Sequence, residues 1–361
     1  MADRPLSITV VVGPTSGGIG RHVHAVVQQL VEMEQRVCVV APDATDALFD
    51  WRSTGATLVT APVGAASPGA LMRARRAVRL ATTDADVSHA HGVRAGAVSA
   101  LAGVHPLVVT WHNTRPVRWS RRLGHPLAER LAARGADLTL AVSRDLLGRA
   151  AAAGATDMKV VAAPAPPLPL PKRSPGEVRS ALGVSGRPLV LAVARLEAQK
   201  RLDLLVEATA GWRDRPDRPA VVLAGTGRLA GDLERRARQL RSPVILVGRR
   251  DDVPDLIRAS DVVVLPSDWE GYPLVAQESL RLGTPLLATA VGGVPDLVGE
   301  AARLVPPDNA SALRAALDDL IADADERARL ADAGVRRAAM WPTLPATVDE
   351  LLTDYRNLMF R

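Results

Sequence analysis

Six prolines in thirteen residues, Ala163-Pro-Ala-Pro-Pro-Leu-Pro-Leu-Pro-Lys-Arg-Ser-Pro175, constrain this chain more than any other feature. Proline fixes φ and lacks a donor N–H, so neither a helix nor a central strand survives that density. The segment reads as a stiff, extended linker. Before it, strand-like apolar runs recur near residues 6–12, 37–41, 57–61, 107–110 and 138–142, with Val87-Ser-His89 a weaker candidate. Helical patterns lie between them, as over His22–Glu34 and Ala70–Ala81. After it the alternation restarts at Leu189–Val193, Ala220–Ala224, Val244–Val247, Val262–Leu265, Pro285–Ala288 and Ala302–Val305. Strands that alternate with helices build βαβ units and a parallel sheet. The expectation is an α/β chain of two Rossmann-like domains, over residues 1–165 and 166–341, with parallel sheets facing a central cleft. Trp341-Pro-Thr-Leu-Pro345 reads as a break. A last helix within 342–361 packs back on the first domain or simply ends the second.

Two acids stand out in Leu265-Pro-Ser-Asp-Trp-Glu-Gly-Tyr-Pro-Leu-Val-Ala-Gln-Glu278, where seven residues separate Glu270 from Glu278. Glu270 follows a buried-strand pattern. Glu278 falls inside a helix that Pro273 can open, since proline fits the first helical position. Both would then line a crevice at the carboxyl end of a parallel strand, where open α/β sheets bind ligands. Carboxylates accept hydrogen bonds from hydroxyls, so a sugar and a ribose suit them. The plainer reading makes one Glu a helix cap and leaves the other solvated.

Three other clusters sit at strand ends. Gly13-Pro-Thr-Ser-Gly-Gly-Ile-Gly20 follows a strand and opens a helix, a place where free N–H groups can meet a phosphate. It is no Walker A loop, and Val23 occupies the third glycine position of a dinucleotide fingerprint. Arg195 ends the first strand after the linker, and Lys200 lies five residues on. Two cations crowded there invite an anion such as a diphosphate between them. Arg201 beside them reads as merely exposed. His112, in Thr110-Trp-His-Asn113, could hold a substrate hydroxyl. His22, His24, His89 and His91 show no metal-ligand grouping, and the rings of His89-Ala-His91 are expected on opposite strand faces.

Composition narrows the partners. One cysteine, Cys38, excludes an internal disulfide framework and fits a reducing compartment, where a buried structural thiol is expected. Neither a signal peptide nor a membrane-spanning run is legible, so a cytoplasmic location is expected. Residues 1–167 hold 18 Lys+Arg against 12 Asp+Glu, which is the whole of the net charge of +6. Arg73, Arg75, Arg76 and Arg79 form one basic run, and Arg115-Pro-Val-Arg-Trp-Ser-Arg-Arg122 forms another. Both suit an anionic membrane face and a peripheral location there, or are ordinary solvated surface. With 3% aromatic residues and no recognition motif, nucleic acid is not expected as a partner.

Taken in order, Gly17-Gly18, Thr110-x-His112, Arg195 with Lys200, Gly225-x-Gly227, Pro266-Ser267, Glu270-x7-Glu278, Gly283-x-Pro285 and Gly292-Gly293-Val-Pro295 resemble the retaining glycosyltransferases of family 4. The likeness covers most of the chain. It implies the GT-B fold, with an N-terminal acceptor-binding domain and a C-terminal nucleotide-sugar-binding domain. It implies transfer of a sugar, with retention, from a nucleotide-diphosphate sugar to an acceptor hydroxyl. The acceptor is unspecified, lipid-linked, glycan or phosphorylated. Arg195 and Lys200 would hold the diphosphate, Glu278 the ribose and Glu270 the transferred sugar. Gly17 and Gly18 would lie near phosphates and acceptor, and His112 near the sugar. Gly271, Tyr272, Pro273 and Leu274 would complete the donor site, with helix N–H groups turned to the departing diphosphate. No cofactor and no metal are expected, since cations and amides do that work. The chain departs from the pattern at Ala194 and Arg201, where glycines are frequent, and at Asp296, where Glu is common. A nucleotide-sugar epimerase of similar fold and a non-catalytic sugar-nucleotide-binding protein are the alternatives.

Overall fold

The computed structural model describes residues 4–65, 67–113 and 125–360. The chain divides into two compact units, one of residues 1–166 with 342–361, the other of residues 167–341. The basic segment Arg115–Arg122 lies outside the described residues.

The first unit carries β1 (Ser7–Val12), β2 (Arg36–Ala41), β3 (Thr57–Thr60), β4 (Val87–His91), β5 (Leu107–Trp111), β6 (Leu138–Ala141) and β7 (Met158–Val160). They form one sheet in the order β3-β2-β1-β4-β5-β6-β7, parallel throughout. Helices cover both faces, so β4, β5 and β6 are buried along their whole length. That is why β5 and β6 read as mainly apolar runs rather than alternating ones, whereas β4, Val-Ser-His-Ala-His, buries polar side chains and reads weakly. Cys38 on β2 is half-buried, and burial raises its thiol above the ordinary range.

The C-terminal helix Leu344–Met359 belongs to this first unit. Leu344, Val348, Leu351, Leu352, Tyr355 and Leu358 form its buried stripe, spaced three and four apart as one helix face demands. Lys159 on β7 ties the helix down through Glu350 (2.6 Å) and Asp354 (2.9 Å).

The second unit repeats the plan with β8 (Leu189–Val193), β9 (Ala220–Ala224), β10 (Val244–Gly248), β11 (Val262–Leu265), β12 (Leu286–Thr289) and β13 (Arg303–Val305). The order is β10-β9-β8-β11-β12-β13, again parallel. Two apolar clusters fill its faces, one around Leu205, Trp212 and Leu317, the other around Leu256, Ile257 and Leu280. In each unit the strand order reverses once, between β1 and β4 in the first and between β8 and β11 in the second. Open parallel sheets take ligands at the carboxyl side of that reversal, where flanking loops diverge and leave a crevice. Among the described residues, no helix is long and apolar enough to cross a membrane.

Candidate active site

In the second unit, the loops after β8 and β11 leave the sheet side by side because those strands are paired. Ser267 and Glu270 stand in the loop after β11, and Lys200 ends a short 3-10 turn, Ala198–Lys200, in the loop after β8. Lys200 Nζ donates to Glu270 Oε1 at 2.6 Å, and Ser267 Oγ donates to the same oxygen at 2.6 Å. Glu270 is only 6% exposed. A carboxylate that deep needs such partners, because an unpaired buried charge is strongly unfavourable. The main chain locks the loops together. Gln199 Nε2 donates to the Trp269 carbonyl (2.8 Å), and the Asp268 N–H donates to the Gln199 carbonyl (2.9 Å). The Gly293 N–H donates to the Glu270 carbonyl at 2.9 Å. Gly292 sits at φ +53°, and a Cβ there would lie 2.0 Å from that carbonyl oxygen, so no larger residue fits.

Glu278 lies in the helix Leu274–Arg281 and is 1% exposed. Pro273 is the residue before that helix rather than its first member, and no side chain caps it. Neither acid is thus a cap or a solvated surface group. Gly271 and Leu274 are buried, and Tyr272 is half-buried. Burial raises the Tyr272 hydroxyl and lowers Arg281, whose guanidinium Tyr272 and Glu278 help to keep charged.

The two cations behave differently from the crowded pair expected. Arg195, just past β8, is exposed and among the described residues forms no ion pair, whereas Lys200 is held by Glu270. Arg201 is not merely exposed. Its backbone lies in the left-handed region at φ +45°, where a side chain is strained. Its guanidinium reaches Asp203 (3.3 Å), Asp268 (2.9 Å) and Asp308 (2.7 Å), contacts that offset the strain.

In the first unit, Gly17 precedes the helix Gly18–Glu32 at φ +133°, a conformation open to glycine, and its carbonyl accepts from the Arg21 N–H at 3.0 Å. Beside the order reversal, four histidines gather. His91 ends β4 and His112 follows β5. His91 Nδ1 and His112 Nε2 lie 3.0 Å apart, so one ring donates to the other, with the tautomers setting the direction. His89 bridges Tyr355 Oη (2.6 Å) and Thr110 Oγ1 (2.7 Å). His22 Nδ1 faces the Pro164 carbonyl at 3.1 Å, so that nitrogen carries the hydrogen. Burial pushes His22 down to about 4 and His89 to about 3. Burial, with the neighbouring imidazoles adding, takes His91 and His112 well below the ordinary range. All four are neutral at pH 7, so His112 acts as a hydrogen-bonding group rather than a cation.

The His89 and His91 rings lie side by side, 4.1 Å between centroids and tilted by 33°, on the same face. The expectation of opposite faces fails, because residues two apart on a strand share a side. That spacing was the available signal for the cluster. Its other half, the register that sets His91 opposite Thr110, is a property of the sheet. Among the described residues, no group of three His, Cys, Asp or Glu side chains is arranged to hold a metal ion.

Comparison with known proteins follows the same division. The family described as "Glycosyl transferase 4-like domain" matches residues 17–166, and "Glycosyl transferases group 1" matches residues 187–323. The chain is similar to an alpha-D-kanosaminyltransferase of Streptomyces kanamyceticus, at 33% identity over 50% of this chain and 49% of the relative. It is similar to a D-inositol 3-phosphate glycosyltransferase of Nocardiopsis dassonvillei, at 36% identity over 56% and 51%. A third relative is the GDP-mannose-dependent alpha-(1-6)-phosphatidylinositol monomannoside mannosyltransferase of Mycolicibacterium smegmatis, 28% identical over 73% and 72%. The chain spans about half the length of the first two. Among solved structures, Anabaena HepE in complex with UDP-glucose superposes with a TM-score of 0.82 at 21% identity, covering 97% of this chain and 99% of that one. The sucrose-phosphate synthase of Thermosynechococcus elongatus gives 0.77 at 19%, covering 98% and 99%. At those identities the superpositions establish the GT-B fold.

Proposed function

As a chain of two glycosyltransferase-family domains in the GT-B fold, the protein is, we propose, a retaining, metal-independent glycosyltransferase of family 4. It moves a sugar from a nucleotide-diphosphate sugar to an acceptor hydroxyl. The observation that carries this reading is the cluster of half-buried Lys200 with buried Glu270 and Ser267 beside the order reversal of the second unit. A carboxylate and an ammonium fixed together at such a place suit a ligand that is both hydroxylated and anionic. A nucleotide-diphosphate sugar has both properties.

In the proposed reaction, negative charge grows on the departing nucleoside diphosphate while the anomeric carbon becomes cation-like. Arg195, exposed and able to reach outward, and Lys200 stabilise that charge. The N–H groups at the start of the helix Leu274–Arg281 add to it. Fixed donors aimed at developing charge are usually the largest single catalytic contribution. Both hydrogen bonds to Glu270 fall on Oε1, so Oε2 is the atom for a sugar hydroxyl. Glu278 takes the ribose. Tyr272 and Pro273 flank the donor, and Gly17, Gly18 and the neutral His112 meet phosphate, acceptor and sugar. Neither Glu serves as a covalent nucleophile in this scheme.

The relatives are named as a kanosaminyltransferase, an inositol 3-phosphate glycosyltransferase and a GDP-mannose-dependent mannosyltransferase, and what these names share, transfer of a sugar, supports the reading. The test is turnover with purified protein against UDP-, GDP- and ADP-sugars. Release of the nucleoside diphosphate that depends on an acceptor, and that Arg195→Ala or Lys200→Ala abolishes in folded protein, is expected. Normal turnover in either variant would remove the diphosphate role.

A further inference from the structure

We propose that the helix Pro68–Ala81 is a docking face for an anionic lipid bilayer. Its inner side is made of Ala70, Ala74 and Val78, all buried. Its outer side presents Arg73, Arg75, Arg76 and Arg79, all exposed. Among them stand two apolar side chains, Met72 and Leu80, at 72% and 65% exposure. Successive residues of a helix turn by about 100°. Met72, Arg76, Arg79 and Leu80 therefore fall on one side, with Arg73 and Arg75 along its edges.

The charge of this face is uncompensated. No Asp or Glu occurs between Asp50 and Asp84. Among the described residues, none of the four arginines forms an ion pair. A general abundance of arginine does not explain this. On the helix Ala230–Gln239, which is also exposed and arginine-rich, Arg235 pairs with Asp232, Arg236 with Glu207 and Arg238 with Glu234. Like charges packed on one helix face repel one another unless an anionic partner is present.

The interleaved Met72 and Leu80 decide which anion. Nucleic-acid phosphates would engage the arginines but leave those side chains in water. A bilayer takes both: guanidinium groups at the phosphates, methionine and leucine below them. The helix is formed and capped by Ser67, whose hydroxyl accepts from the Ala70 N–H. Docking therefore needs no folding step. This inference does not rest on the sugar-transfer reading.

The test is flotation of the full chain with vesicles containing phosphatidylglycerol and with vesicles of phosphatidylcholine alone. Binding to the former only, lost as salt is raised, is expected. Each arginine near an anionic surface should strengthen binding about fivefold. The quadruple variant Arg73→Gln, Arg75→Gln, Arg76→Gln, Arg79→Gln should then weaken it by several hundredfold. Met72→Ser with Leu80→Ser should weaken binding while leaving its salt dependence in place. All six positions are exposed, and unchanged thermal midpoints will confirm that the variants fold. Failure to float, equal flotation with both vesicles, or wild-type binding by the quadruple variant would overturn the proposal. So would arginine-dependent binding to duplex DNA without binding to vesicles.

Discussion

Replacing Lys200 by Met tests the ion pair at the centre of the candidate site. The substitution keeps much of the side-chain volume and removes the ammonium. Glu270, whose side chain is 8% exposed, would keep only the Ser267 hydroxyl. Removing one partner of a buried pair costs about 3–5 kcal/mol, because the other charge is left uncompensated. Lys200 keeps 18% exposure, so water can partly replace it, and the lower end, about 3 kcal/mol, applies. For a unit of this size that corresponds to a fall of about 6–12 °C in the melting midpoint. Glu270→Gln on the Lys200→Met background should restore part of the loss, since the neutral amide no longer needs a counter-charge. The two substitutions should therefore be non-additive by about 0.5–3 kcal/mol. The assay is thermal and denaturant unfolding of wild type, both single variants and the double variant, with no donor added. An unchanged midpoint in Lys200→Met, or strict additivity in the double variant, would refute the coupling. Catalysis is a separate readout: loss of a donor to developing charge lowers kcat about 10²–10³-fold.

Three further outcomes are expected. A cognate nucleotide sugar at a hundred times its Kd should stabilise the protein by about 2.7 kcal/mol; Glu278→Ala should lose much of that gain, and an undiminished shift would count against the ribose role. His22 and His89 have folded values of about 4 and 3 against 6.5, so the unfolded chain takes up protons that the folded chain refuses. Stability should therefore fall as pH drops from 6.5 toward 4, by up to about 1.4 kcal/mol per pH unit for each histidine, and an equal denaturant midpoint at pH 7 and pH 5 would contradict this. Finally, Arg201→Gly should change stability by no more than about 1 kcal/mol, because relief at φ +45° offsets the lost exposed ion pairs, whereas Gly292→Ala should be severely destabilising; comparable effects of the two would show that the left-handed backbone and the crowded carbonyl are not what matters.

The alternation of strands and helices was legible in the chain because most of its strands, β1, β5, β9 and β11 among them, are buried along nearly their whole length. Leu189–Val193, Ala220–Ala224 and Val262–Leu265 stand where their apolar runs predict. Met158–Val160 escaped notice because it is a three-residue edge strand, partly exposed, with a lysine in the middle. The candidate residues were also legible: Lys200, Glu270, Glu278 and His112 attract attention as polar groups at or just past the ends of apolar runs.

Their partnerships were not legible. Lys200 and Glu270 are seventy residues apart and meet only because β11 pairs with β8 although two strands intervene in the chain. His89 touches Tyr355 across 266 residues because the C-terminal helix packs on the first unit. Local chemistry is written residue by residue, since propensity and periodicity act between near neighbours. Which charges neutralise each other and which histidines hydrogen-bond to one another depend on strand order and register, and these arise only when the sheets assemble.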